Sequence, residues 1–195
     1  AQESRGLGDV YKRQVLKDEA LAAEAASLKK EIHDAIESMA IVDNYYYGKV
    51  YAYEVDGYGQ YMLMDDANVP SLLAMDYLGY EADDRQVVEN TRNFVLSCAN
   101  PYYYEGSCAK GVGSQHTKPG YIWHIALAIQ GLTSKTKEEK LAILNTMKNT
   151  DAGKHMMHEG FDVNDPANYT REWFSWANAM FCELVLDYCD IRVAR

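Results

Sequence analysis

The sequence predicts a mainly α chain of three helical hairpins, with long polar loops gathered at one rim. Three observations carry this expectation. Apolar residues recur at three- and four-residue steps over several long stretches. Long loops rich in Gly, Tyr and acids separate those stretches, and each loop enters the more apolar helix of its pair. No segment sustains the alternation of a strand, although short strand pieces over 47–63 fit the pattern.

The first helix is expected over 18–41, where Leu21, Ala25, Leu28, Ile32, Ile36 and Met39 share one face. A second should start near Asn68–Pro70, carry Leu72, Leu73 and Tyr77, and end at Gly79. Asp83 or Asp84 can cap a third, with Val87, Val88, Thr91, Phe94 and Val95 inward. An almost wholly apolar helix is expected from Tyr121 to Leu132. Thr136 should cap the next, Lys137 to Met147, and Thr170 the last, which carries Phe174, Phe181, Leu184, Val185 and Tyr188. Inner helices ringed by outer ones would form a toroid with a site at the loop rim, and three hairpins cannot close such a ring. A helical solenoid competes, but its links would be shorter and more uniform.

Composition narrows the partners. The net charge is −10, which argues against nucleic acid or an anionic membrane. No apolar run is long enough to span a bilayer, and residues 1–14 lack an apolar signal core. The cytoplasm is the expected compartment. Cys182 and Cys189 stand roughly 10 Å apart along a helix, too far to bridge. Cys98 and Cys108 flank a loop and could pair, with free thiols as the default. Residues 5–14, RGLGDVYKRQ, share no apolar periodicity with the helical stretch beyond them and resemble translated adapter sequence. Residues 1–14 are therefore set apart from a domain over 15–195.

The stretch YEVDGYGQYMLMDDANVPS (53–71) mixes Glu54, Asp56, Asp65, Asp66 and Asn68 with Tyr53, Tyr58 and Tyr61. Carboxylates and amides bind hydroxyls, and aromatic faces pack on sugar C–H groups. The plainer reading is a polar turn capping a helix. In 149–169, HMMHEGFDVNDP places His155, His158 and Glu159 together, but the spacing is not that of HExxH, and no metal is expected. Glu159 suits a general base on a loop; it could equally cap a turn or pair with Lys154, and Glu105 and Glu172 compete with it. His116, Trp123 and His124 sit at the second loop–helix junction, and Arg171, Trp173 and Trp176 at the third. Any of these can be structural.

Taken together, the motifs YAYEVDGYGQYMLMDDANVPSLL (51–73), NPYYYEG…KGVGSQHTKPGYIWHIALAIQGLTS (100–134) and TDAGKHMMHEGFDVNDPANYTREWFSWANAMFCEL (150–184) resemble glycoside hydrolase family 125. The resemblance runs from about Val15 to Leu186. It implies an inverting exo-α-1,6-mannosidase on an (α/α)6 toroid, an α-mannoside oligosaccharide as ligand, and no cofactor or metal. It also implies that Glu159, in the family's MHE motif, is the general base. Glu54, Asp65, Asp66, Asn68, His116, Trp123, His158 and Arg171 would then bind substrate. The family's general acid is an aspartate in an RPSDD-like motif, which does not occur here. The chain is therefore expected to be the C-terminal half of the catalytic domain, about three of six hairpins, inactive alone. A non-catalytic carbohydrate-binding or scaffold module is the alternative.

Overall fold

A computed structural model of the chain describes residues 17–191, in which five helices alternate with nine short strands. Residues 5–14 lie outside the described residues. Helix α1 (Glu19–Met39) starts where the Asp18 carboxylate accepts the Leu21 N–H at 2.9 Å. Its apolar stripe is thinly covered: Ala22 is buried, whereas Leu21, Leu28 and Met39 are exposed. Ile36 packs against the buried cluster of Tyr51, Met75 and Val87, and polar contacts add to this hold on α1. The Tyr51 and Tyr80 hydroxyls both donate to Glu37 Oε1, at 2.6 and 2.5 Å.

Strands β1 (Ile41–Asn44) and β2 (Gly48–Tyr51) form an antiparallel hairpin, followed by the two-residue pair β3 (Glu54–Val55) and β4 (Tyr61–Met62). The expected helix after Pro70 does not form. Residues 71–79 instead make a run of tight turns, with Ala74, Met75 and Gly79 donating to carbonyls three residues back. The Asp65 carboxylate takes the Leu72 and Leu73 N–H groups at 2.8 and 2.9 Å, pinning the chain in turns. Gly79 ends the run at a φ of +72°, where a side chain would be strained.

Helix α2 (Arg85–Val95) is capped by Asp84 and buries Val87, Val88, Thr91, Phe94 and Val95, as the spacing predicts. Thr91 Oγ1 accepts the Tyr51 N–H at 2.9 Å and joins α2 to β2. Strands β5 (Tyr103–Glu105) and β6 (Lys110–Val112) form a second hairpin in the loop. The apolar stretch from Tyr121 is strand before it is helix: β7 (Tyr121–Trp123) runs directly into α3 (His124–Leu132). Its extended start is imposed from afar, because Tyr121 and Ile122 pair with residues of β8 (Gly160–Asp162). Thr136 caps α4 (Lys137–Asn149), accepting the Glu139 N–H. Thr170 is not a cap; it lies in β9 (Tyr169–Thr170), and α5 (Ser175–Tyr188) follows Phe174 without a side-chain cap.

The main core forms around α3, where Ile125, Leu127 and Ile129 are almost wholly enclosed. Full burial of such a side chain contributes about 1.5–3 kcal/mol. An added Cβ on Gly131 would lie 2.7 Å from Leu184 Cδ2, so α3 and α5 touch there with no room for a methyl. All four cysteines are free and exposed. Among the described residues, no helix is long and apolar enough to cross a membrane.

Candidate active site

Residue 123 and a hairpin over 160–170, some forty residues further along the chain, meet at one end of the sheet β7-β8-β9. Trp123 lies opposite Gly160, and Gly160 opposite Thr170. Both pairings are antiparallel, so His124, Glu159 and Arg171 leave the sheet at the same end. Gly160 permits this closeness: a Cβ there would lie 2.9 Å from Trp123 Cδ1. The buried Trp123 indole donates from Nε1 to Thr117 Oγ1 at 3.0 Å and meets Phe174 edge-on.

Glu159 projects from this end with its side chain only 14% exposed. Arg171 Nε lies 3.4 Å from Glu159 Oε1, and its guanidinium caps the Phe174 ring at 5.5 Å. The Arg171 backbone is left-handed, at a φ of +44°, an uncommon conformation for a residue with a side chain. Lys154 does not pair with Glu159; it pairs with Glu172 at 3.2 Å. The Tyr169 hydroxyl and Lys154 hold the Glu172 carboxyl below its ordinary pKa. Glu172 and Glu105 are 51% and 67% exposed, so Glu159 alone of the three competing acids is sheltered.

His158 is fully buried, its ring parallel to Tyr169 at 3.9 Å. Its Nδ1 is 2.6 Å from the Glu172 carbonyl, which can only accept, so Nδ1 carries the hydrogen. Its Nε2 has no partner among the described residues. His124 is equally buried. It sits between the His158 backbone and Thr150 Oγ1, and burial pushes its pKa down to about 3.

The first loop is braced against the second. The Ala67 N–H donates to the Gly113 carbonyl at 3.0 Å, and the Asp65 N–H to Asn100 Oδ1 at 3.1 Å. Asp65 is fully enclosed, and burial pushes its pKa up to about 7 against the opposing backbone N–H bonds of Leu73 and Leu72. Asp66 accepts both the backbone and side-chain N–H groups of Asn68 at 3.0 Å. His116 is exposed, its N–H turned onto Ser114 Oγ, and Glu54 stands exposed on β3. Trp123, His158, Glu159 and Arg171 thus form one cluster. The loop 65–68 adjoins strand β6, whose continuation carries His116 and Thr117 toward Trp123.

Three contributors escape a reading of the sequence: Thr117, Thr150 and Gly160. Gly160 carried a signal, since a glycine directly after a candidate base marks close backbone approach. The two threonines act only through partners that folding brings near. A groove of about 890 Å³ lies elsewhere, between α1 and the 69–81 turns, walled by Ile32, Ile36, Val69, Leu72, Met75 and Leu78. Trp123, His158, Glu159 and Arg171 do not line it. Among the described residues, no three His, Cys, Asp or Glu side chains are grouped to hold a metal ion.

Comparison with known families places the chain among glycoside hydrolases. More particularly, residues 4–186 match the family described as metal-independent alpha-mannosidase (GH125), and the chain belongs to that family. The match takes in residues 5–14. The chain is 45% identical over 171 residues to the meiotically up-regulated gene 157 protein of Schizosaccharomyces pombe, covering 87% of this chain and 34% of that protein. It also superposes, at a TM-score of 0.90 and 50% identity, on a metal-independent α-mannosidase of Streptococcus pneumoniae solved as a non-productive complex with α-1,6-mannobiose. That alignment covers 96% of this chain and 45% of the other. The chain therefore spans about a third to under half of these relatives.

Proposed function

We propose that this chain supplies the general base and part of the sugar pocket of an inverting exo-α-1,6-mannosidase. The observation that carries the reading is Glu159: a sheltered carboxylate at a sheet end, paired with a guanidinium and close to an indole. Among the described residues, no backbone N–H occupies its oxygens. Such a group is available to take a proton from water as the water attacks the anomeric carbon. Trp123, His116, Asp66 and Asn68 would grip the terminal mannose, with Arg171 and His158 beside the base and Glu54 at the rim. Asp65 would act through the turn it holds.

The aspartate that protonates the leaving oxygen comes, in this reading, from polypeptide outside these residues. An inverting pair stands about 6.5–9.5 Å apart, leaving room for the water. The chain would form the C-terminal half of an (α/α)6 domain. The thinly covered stripe of α1 and the apolar groove beside it support this, because such surfaces ordinarily pack against more protein. The related α-mannosidase complex with α-1,6-mannobiose supports the linkage.

The test is hydrolysis of α-1,6-mannobiose by a protein of full family length carrying this chain, alongside the 195-residue chain alone. Turnover by the first and none by the second is expected. Robust turnover by the isolated chain would overturn the division of acid and base.

A further inference from the structure

Glu159 has no element of regular structure before it. The backbone entering it, 157–159, is neither helix nor strand, yet His158 is fully buried and Glu159 mostly so. Something must fix this segment if its carboxylate is to hold a water in place. Pairing within the sheet accounts for one side only. The Glu159 N–H reaches the Thr170 carbonyl at a long 3.3 Å, and Gly160 begins the strand proper.

On the other side Asn178 brackets Met157, accepting its N–H and donating to its carbonyl at 3.1 Å each, and an imidazole holds the next residue, directly before Glu159. The His158 N–H lies 3.0 Å from His124 Nδ1. The same Nδ1 lies 3.2 Å from the His158 carbonyl, so the ring meets both backbone polar groups of His158 and its tautomer selects which bond is made. The other ring nitrogen, Nε2, lies 3.0 Å from Thr150 Oγ1, and that hydroxyl lies 2.9 Å from the Thr146 carbonyl. In either tautomer the ring links the His158 backbone to the Thr150 hydroxyl and so to α4. It anchors the residue before Glu159 to the start of α3 and the end of α4. The Phe161 ring lies 4.7 Å from His124, closing the apolar side, and no water is needed to complete the ring's hydrogen bonds.

We infer that His124 is a positioning residue for Glu159, holding the carboxylate in register with the sugar through the His158 amide and taking no part in proton transfer. The inference rests on Glu159 being the general base. Titratable groups facing His124 are few: His158 from the segment before Glu159, and Asp151 just past the end of α4. None gives it a carboxylate partner at hydrogen-bonding distance, unlike an imidazole built to shuttle protons.

The experiment uses the protein of full family length with α-1,6-mannobiose as substrate. His124→Phe keeps the ring and removes both hydrogen bonds. His124→Asn keeps an acceptor near the Nδ1 position and gives up the reach to Thr150. For His124→Phe, kcat is expected to fall by about 10²-fold, since a small misplacement of a reacting group costs that much. KM should stay within about twofold, because substrate binding is not the interaction removed. His124→Asn should recover most of the lost kcat. Hydrogen exchange of the 155–161 segment should quicken in the Phe variant and return toward wild type in the Asn variant, whether or not the enzyme turns over. If the Phe variant does not fold, Thr150→Val weakens the same link and should lower kcat by a smaller factor at constant KM.

An unchanged kcat in His124→Phe, a rise in KM matching the loss of kcat, or no rescue by Asn would overturn the proposal. Failure of the base assignment reads differently: Glu159→Gln would retain turnover while the exchange changes at 155–161 remained.

Discussion

Two acidic loops of this chain look alike in sequence and are used in opposite ways. In the first, Asp65 is fully enclosed and both carboxylate oxygens are taken by the backbone N–H groups of Leu72 and Leu73. In the other, Glu159 keeps its oxygens off the backbone, with Arg171 beside it and a small opening to solvent. The difference lies in what satisfies the lone pairs. A carboxylate saturated by amides organises chain, and one left to a long-stemmed cation can meet a water or a hydroxyl.

The largest break in that comparison should come from Glu159→Gln in the protein of full family length. Removing a general base typically lowers the rate by about 10²–10⁴-fold, with the fold intact by circular dichroism. Asp65→Ala should do the reverse, acting on stability. It strips the buried Leu73 N–H and the part-buried Leu72 N–H of their acceptor, at about 1–3 kcal/mol for the buried one and less for the other, read by denaturant unfolding. The turns over 71–79 should loosen first.

The same contrast can be sharpened by pH. The Asp65 pKa is raised from its ordinary value to about 7, so the folded chain holds a proton that the unfolded chain gives up. Its contribution to stability is full below about pH 4 and lost as pH rises toward 7. His124 has the opposite sign. Its pKa is lowered to about 3, so its contribution is present above about pH 6.5 and lost as pH falls toward 3. Asp65→Asn should remove the first slope and leave the second, measured as unfolding free energy from pH 4 to 7. The smallest effect belongs to Lys154→Ala. Its ion pair with Glu172 is exposed on both sides, so the denaturant midpoint should stay within error of wild type.

The helices with a long periodic face were legible. Asp18, Asp84 and Thr136 each cap where the pattern begins, and all five inward residues of α2 are buried. The segment after Pro70 was not, because its apolar spacing also fits turns and the decisive contact comes from Asp65. Strands of two to four residues are too short to show alternation, and β7 is extended only because β8 lies beside it. At the candidate site, Glu159, Trp123 and Arg171 were legible as chemistry on loops. That they converge was not, since the register joining 123, 160 and 170 is set by folding. Thr150 was invisible for the same reason: its partner His124 is 26 residues away.

The proposed chemistry depends above all on Glu159 acting as the base of an inverting hydrolase. The most direct measurement tracks the anomeric proton of newly released mannose by NMR during hydrolysis of α-1,6-mannobiose, with wild type and Glu159→Gln of the full-length protein. The wild type should release β-mannose first, and the variant should be inactive until added azide replaces the water and yields β-mannosyl azide. Release of α-mannose first, or undiminished hydrolysis by Glu159→Gln, would contradict it.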